Sequence, residues 1–415
     1  MLRKKAGDES KAKDPAAPPK PKSQKEPYKP FLLITDLGRS SCKALVYLEE
    51  EEQKIGKLTS CIVRLSSLPG NDYGGFTVGL EEPSPTGEKD GKGKLIKIKS
   101  EEHWVVGDRA FAYPGAALMT DKPDSKVEFF HVLLLGVISS IPNLQALSTG
   151  KSGKQRTLTI DLATLSIANS SELKKKLRHC KWLKVGDVKY RLNFTSRTQS
   201  FVEGHGAAIF GKYKFSSNHS TLYVADLGAG TFQIAEFSIL NQLPSKKSRD
   251  AYHGGGGIAS LKREVTKALS NGDSSNYLTQ SQIATILENS QWSDEKVIAE
   301  DFNKNDVSQL ITYAINQWLR ESPASFALEE LTTISRHSPI IFCGGGFEIE
   351  PVRGIIERRI LESGGDQNNL IFPDDLGLIA VRGVLDYLIK PQNILQLHIK
   401  DTINYADAMQ QAATA

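Results

Sequence analysis

Cysteine is scarce in this sequence. The four residues, Cys42, Cys61, Cys180 and Cys343, form no CxxC pair. A disulfide framework or thiolate zinc site is therefore not expected, whereas reduced thiols in the cytoplasm are. The eight histidines are scattered without an HxH or HExxH spacing, so a histidine-ligated structural metal has no candidate. No apolar run reaches the length of a bilayer-spanning helix, and no membrane anchor is evident. The basic start Met1-Leu2-Arg3-Lys4-Lys5 lacks the apolar stretch of a secretory signal. Excess charge of one sign is missing too, except at the N-terminus. Residues 1–30 hold nine Lys/Arg against four Asp/Glu, a surplus of +5 in a chain whose total is +4, which leaves −1 for the rest. Such a body offers no field for direct, sequence-specific DNA binding.

What is present is globular. Hydrophobic residues make up 39% and charged residues 24% of 415, which suits two domains rather than one. Residues 1–30, with six prolines, cannot bury a core and are expected to be a disordered basic tail. Such a tail is either solvated or a weak electrostatic tether. Order is expected from Phe31, with strands at 31–35, 43–48 and 57–65. The Gly-, Pro- and charge-rich stretch 67–100 predicts surface hairpins or a mobile loop. Residues 104–108 read as a strand and turn, 129–140 as a buried helix, and 171–179 as an amphipathic helix with Ser171 as N-cap. Strands are expected at 157–160, 190–195, 221–225, 232–237 and 339–343. Helices are expected at 204–210, 261–269, 281–288, 307–318 and 378–389. Residues 391–415 read as a C-terminal tail or a short helix.

Three stretches carry chemistry. The first is Asp36-Leu37-Gly38-Arg39-Ser40-Ser41-Cys42-Lys43. Gly38 permits a tight turn whose N–H groups can face phosphate oxygens. Ser40 and Ser41 add hydroxyls and Lys43 a cation. Asp36 would be repelled by phosphate directly, but it suits a metal that keeps its own waters, as Mg²⁺ does. The second stretch is Asp226-Leu227-Gly228-Ala229-Gly230-Thr231, with the same logic and greater specificity. Gly228 and Gly230 bare the turn's N–H groups, Ala229 lies between them, Thr231 brings a hydroxyl and Asp226 a second carboxylate for Mg²⁺ or its waters. A strand follows, which separates it from a P-loop and from a dinucleotide fingerprint, where a helix follows. The third stretch is Ile340-Ile341-Phe342-Cys343-Gly344-Gly345-Gly346. Its glycines either permit flat approach of a planar group or make a strand-to-helix turn.

Taken in order, the three resemble the actin-like ATPase superfamily of actin, heat-shock chaperones and sugar kinases, over about residues 31–390. The resemblance implies an α/β fold of two duplicated RNase-H-like domains with mixed sheets around a nucleotide cleft. It places domain I at 31–220, with its closing helix at 372–390, and domain II at 221–371. It implies two phosphate loops headed by Asp36 and Asp226, an adenosine loop at Gly344, and ATP with Mg²⁺ as ligands. Glu203, in Glu203-Gly204-His205-Gly206-Ala207-Ala208, resembles the residue that orients the attacking water and joins Asp226 as a catalytic candidate; a helix-start Glu favoured by the dipole is the alternative. His205 is given no catalytic role. Residues 254–261 resemble the turn and helix after the second loop, where Lys262 and Arg263 could reach the nucleoside. Leu378, Ala380 and Gly383 resemble the closing helix.

Length, Trp104-Val105-Val106-Gly107-Asp108-Arg109-Ala110 and the stretch at Glu203 most resemble the plasmid-segregation actins, the ParM/StbA family. That branch implies self-assembly into filaments that move DNA through a DNA-bound adaptor. Gln233, where many relatives have Asp, and the stretch near 85–95 depart from its pattern. A filament scaffold or cell-shape actin is the alternative, then a chaperone-like or sugar-kinase-like member. Only 25 residues follow Lys390, too few for a peptide-binding domain.

Overall fold

The computed structural model describes residues 30–48, 51–68, 75–119, 125–150, 155–165, 170–215, 218–241, 243–270 and 278–389. The tails expected at 1–30 and 391–415 fall outside these, apart from Pro30. The first half contains β1 (Phe31–Leu37), β2 (Ser41–Leu48), β3 (Glu51–Thr59), β4 (Cys61–Leu65), β5 (Gly75–Pro83), β6 (Lys97–Val106), β7 (Ala117–Leu118), α1 (Ser125–Ser139), β8 (Ser148–Thr149), β9 (Arg156–Leu165), α2 (Ser170–His179), β10 (Cys180–Val185), β11 (Val188–Phe194), β12 (Gln199–Phe201) and α3 (His205–Phe215). The second contains β13 (Thr221–Leu227), β14 (Thr231–Ser238), β15 (Ser245–Gly254), α4 (Ile258–Ser270), α5 (Gln280–Asn289), β16 (Gln291–Ser293), β17 (Lys296–Ile298), α6 (Ser308–Glu321), α7 (Ala324–Ser335), β18 (Ile340–Cys343), α8 (Glu350–Glu362), β19 (Leu370–Ile371) and α9 (Ile379–Ile389).

The strands form two mixed sheets with a shared plan. One runs β3-β2-β1-β9-β11 and continues to β10-β5-β6-β4-β7; the other runs β15-β14-β13-β18-β19. In both, the first two pairings are antiparallel and the next two parallel. β1 and β13 are the central strands and are buried on both faces. This explains why they read as apolar runs without alternation.

β1 and β13 each pack into a core on either face. Leu33 and Leu37 of β1 pack with Leu134 and Ile138 of α1, while Leu32 and Ile34 pack with Val384 and Leu388 of α9. Ala225 and Leu227 of β13 pack with α4, α6, α7 and α8, while Leu222 and Val224 pack with Ala207 and Ala208 of α3. So α3 and α9 stand against opposite sheets and cross. A Cβ on Gly206 would lie 1.6 Å from the Ala380 carbonyl oxygen, and one on Gly383 would lie 2.0 Å from that of Gly206. Only glycine permits that approach.

One expectation needs correction: the strand expected at 57–65 is broken at Ser60, which leaves the ladder to bond the first turn. Of the two alternatives for 67–100, the described residues form the surface hairpin, with β5 and β6 pairing continuously from Gly75 with Val105 to Pro83 with Lys97. β15, α7, α8 and the β16–β17 hairpin were not anticipated.

Candidate functional site

In the first hairpin, Asp36 and Lys43 are cross-strand partners, so both side chains leave the same face. The turn is tight: a Cβ on Gly38 would lie 2.6 Å from the Ser41 carbonyl oxygen. Ser60 braces it from outside. Its hydroxyl donates to the Gly38 carbonyl at 2.6 Å and its N–H to the Ser40 carbonyl at 2.9 Å. These bonds hold the turn's carbonyls to one side, which directs its amides to the other. Ser41 and Lys43 are buried, while Ser40 is exposed. One Asp36 oxygen, Oδ1, is buried without a hydrogen-bond partner in the protein. Such an atom is costly unless something else satisfies it.

The second hairpin repeats the register, with Asp226 opposite Gln233. Gln233 is buried and donates from Nε2 to Asp250 Oδ1 at 2.7 Å. Here the brace is the segment entering α4. The carbonyls of Gly228, Ala229 and Gly230 accept from the N–H groups of Ile258, Ala259 and Gly255 at 3.1, 2.8 and 2.9 Å. Gly257 seats that segment, since a Cβ there would lie 2.4 Å from the Thr231 nitrogen.

The third turn divides its glycines by task. Gly344 has φ +98°, and a Cβ on it would lie 2.3 Å from Asp226 Oδ1. A Cβ on Gly346 would lie 2.3 Å from Leu227 Cγ. Both are therefore required by packing against the end of β13. Gly345 alone has room: its nearest neighbours would be Glu348 Oε2 at 3.5 Å and Lys57 Nζ at 3.9 Å. Of the three, this is the position a planar group can approach.

Cys343 ends β18, in register with Asp226 at the end of β13. Its thiol is fully buried, and burial pushes its pKa well above the ordinary value. The charges of Asp226, Asp36 and Glu203 push it the same way, and Lys43 opposes them. Four charged groups, on β13, β1, β2 and the entry to α3, thus act on one buried sulfur.

Glu203 precedes Gly204, whose φ is +84°, and α3 starts at His205. The His205 ring is committed to structure. Val202 N–H donates to Nδ1 at 3.2 Å, Nε2 donates to the Pro244 carbonyl at 2.8 Å, and burial lowers its pKa. Both ring nitrogens are thus bonded within the protein.

Lys262 of α4 is partly buried. Burial lowers its pKa, Glu288 opposes this, and Lys57 adds to it. Arg263 is exposed. Lys57 of β3 also pairs with Glu348 at 3.6 Å, which joins the first half of the chain to the turn after β18. Sequence reasoning missed Ser60, Lys57, Glu288 and Glu348. Only Ser60 left a signal, as a polar residue interrupting an apolar strand pattern. Among the described residues there is no cluster of three or more His, Cys, Asp or Glu suited to a metal, and no helix long and apolar enough to cross a membrane.

No family model matches the chain, and no curated protein matches it. Solved structures do match in fold. A ParM in a 15-stranded filament from Clostridium botulinum aligns with TM-score 0.57 at 17% identity, over 87% of this chain and 99% of that one. ParM of Bacillus thuringiensis with ATP aligns with TM-score 0.57 at 12% identity, over 89% and 99%. The actin-like protein Alp7A aligns with TM-score 0.57 at 16% identity, over 92% and 98%. Two sheets of one plan, two Asp-headed hairpins and a crossed helix pair, matched over nearly the whole of these structures, give this chain the actin-like fold.

Proposed function

We propose that the chain is an ATPase that closes its two hairpins on one Mg-ATP, hydrolyses it, and assembles with further copies of itself into filaments. The observation that carries the reading is the pair of Asp-headed hairpins of one register, with the turn after β18 reaching both sheets: Gly344 lies against Asp226, and Glu348 pairs with Lys57 of β3. In this reading domain I comprises 31–220 with the closing helix in 372–390, and domain II comprises 221–371. The nucleotide lies between them.

Lys43, Ser40, Ser41, Thr231 and the amides of Gly38, Ala229 and Gly230 bind phosphate oxygens; the Gly228 N–H, expected among them, instead donates to the Thr231 carbonyl at 2.9 Å and closes the turn. Gly345 offers its flat face to the nucleoside between Gly344 and Gly346, and Lys262 flanks it. Asp36 and Asp226 would hold Mg²⁺, directly or through its waters; the orphaned Asp36 Oδ1 fits that use. When bound, the ion supplies positive charge against the phosphates. Glu203 orients the attacking water and takes its proton.

The finer reading is that the filaments move plasmid DNA through a DNA-bound adaptor in the cytoplasm. The fold likeness to ParM supports the first part. The four cysteines are buried, which suits thiols kept in a reducing compartment.

Pelleting and negative-stain microscopy with ATP, with ADP and without nucleotide test assembly. Filaments that depend on nucleotide state are expected. A persistent monomer that phosphorylates a small acceptor would overturn the reading. Glu203→Ala is expected to slow hydrolysis about hundredfold while ATP affinity holds; normal turnover would remove Glu203 from its role.

A further inference from the structure

We propose that the β5–β6 hairpin is an assembly arm that docks on the β16–β17 region of a second copy of this chain. The proposal rests on the self-assembly part of the function above. Every residue from 85 to 101 is exposed, yet the hairpin is well formed. Ser84 N–H donates to the Ile96 carbonyl at 2.8 Å, and Ile96 N–H to the Glu88 carbonyl at 2.8 Å. Asp90 accepts the N–H groups of Lys92 and Lys94, each at 2.9 Å, and fixes the tip. On this ordered arm Leu95, Ile96 and Ile98 are 48%, 40% and 48% exposed. Exposed aliphatic side chains grouped on a protruding ribbon are a liability unless something covers them.

The charge says what covers them. Residues 85–101 hold five lysines (89, 92, 94, 97 and 99) against Glu88, Asp90 and Glu101, a balance of +2. The partner surface must therefore be acidic and apolar together. A nucleic-acid backbone meets the first need and not the second. One stretch of the second half meets both. Residues 294–306 hold five acids (294, 295, 300, 301 and 306) against Lys296 and Lys304, a balance of −3. Ile298 and Phe302 within it are 49% and 51% exposed. It too is held in shape: Asp301 accepts the N–H groups of Asn303 and Asn305, and Trp292 N–H donates to Glu350. Complementary charge around an apolar centre is the usual make-up of a specific protein interface. Since arm and dock are different parts of the chain, one contact leaves an arm and a dock unused, and assembly continues unless the pair closes reciprocally.

The test uses the full chain with Mg-ATP. Lys92→Glu with Lys94→Glu, and separately Asp294→Lys with Glu295→Lys, are expected to raise the critical concentration for pelleting about tenfold or more. Combining all four in one chain is expected to bring it back to within about threefold of wild type. Gly91→Cys with Glu295→Cys should give disulfide-linked oligomers on a non-reducing gel. ATP affinity, unchanged in every variant, shows that they fold. Reversed variants that pellet like wild type overturn the interface, as does a combined variant that is not restored, or a crosslink found only within one chain. Loss of DNA retention with normal pelleting would reassign the arm to nucleic acid and also overturn it. A wild-type chain that never assembles overturns the filament reading itself, a result distinct from all of these.

Discussion

The hairpins at Asp36 and Asp226 share a register and differ in what surrounds the carboxylate. Across from Asp36 stands Lys43, a cation within the hairpin; across from Asp226 stands Gln233, tied to Asp250. The first turn is braced by one residue, Ser60, while the second is clamped by the entry to α4 and capped by Gly344. The second carboxylate is thus fixed from several sides, and the first retains an unpartnered buried oxygen. Duplication has supplied one backbone device twice. In the proposed reading the side chains then divide the work, with phosphate charge met at the first hairpin and carboxylate position set at the second.

The largest effect is expected from the carboxylates. Asp226→Ala should lower ATP hydrolysis about a thousandfold, and Asp36→Ala less, because only Asp226 is held on both sides by turns. Steady-state phosphate release measures this, and equal losses would erase the proposed division. Next come the residues opposite them. Lys43→Ala removes a charge-assisted contact to phosphate and should weaken ATP binding about tenfold to a hundredfold. Gln233→Ala breaks only its bond to Asp250 and should change affinity by no more than about threefold. A reversal of that order would mean that Gln233, not Lys43, faces the nucleotide.

The smallest effect concerns pH. The second half brings its own cation, Lys262, whose pKa is lowered by burial and then by Lys57. Lysine contributes to binding only while protonated, so ATP affinity should fall as pH rises through that lowered value, earlier than for an ordinary lysine. Lys57→Met removes the repulsion and should move the fall to higher pH, while Lys262→Met should abolish it. A pH profile unaffected by both substitutions would show that Lys262 does not touch the nucleotide.

Both hairpins were legible because their information is local: an apolar strand, an acid, a glycine turn and a second strand lie within 31–48 and again within 221–238. The Gly344 turn was legible as a turn. Its division of labour was not, since the need for glycine at 344 and 346 comes from Asp226 and Leu227, more than a hundred residues away. Lys57 and Glu348 gave no signal for the same reason. The stretch around 85–101 left a surface hairpin and a mobile loop both open, because glycine and charge suit either; Asp90 and the β5–β6 ladder make it a hairpin. α8 was hidden by Gly354 in its middle, and that glycine makes room for Trp292, whose ring would lie 2.3 Å from a Cβ.

Calorimetric titration of Mg-ATP into the wild-type chain, Asp36→Ala and Asp226→Ala tests the shared site most directly. One nucleotide per chain is expected, bound at a single affinity that both substitutions weaken. Two independent sites, or full affinity in either variant, would contradict the claim that the hairpins close on one ATP.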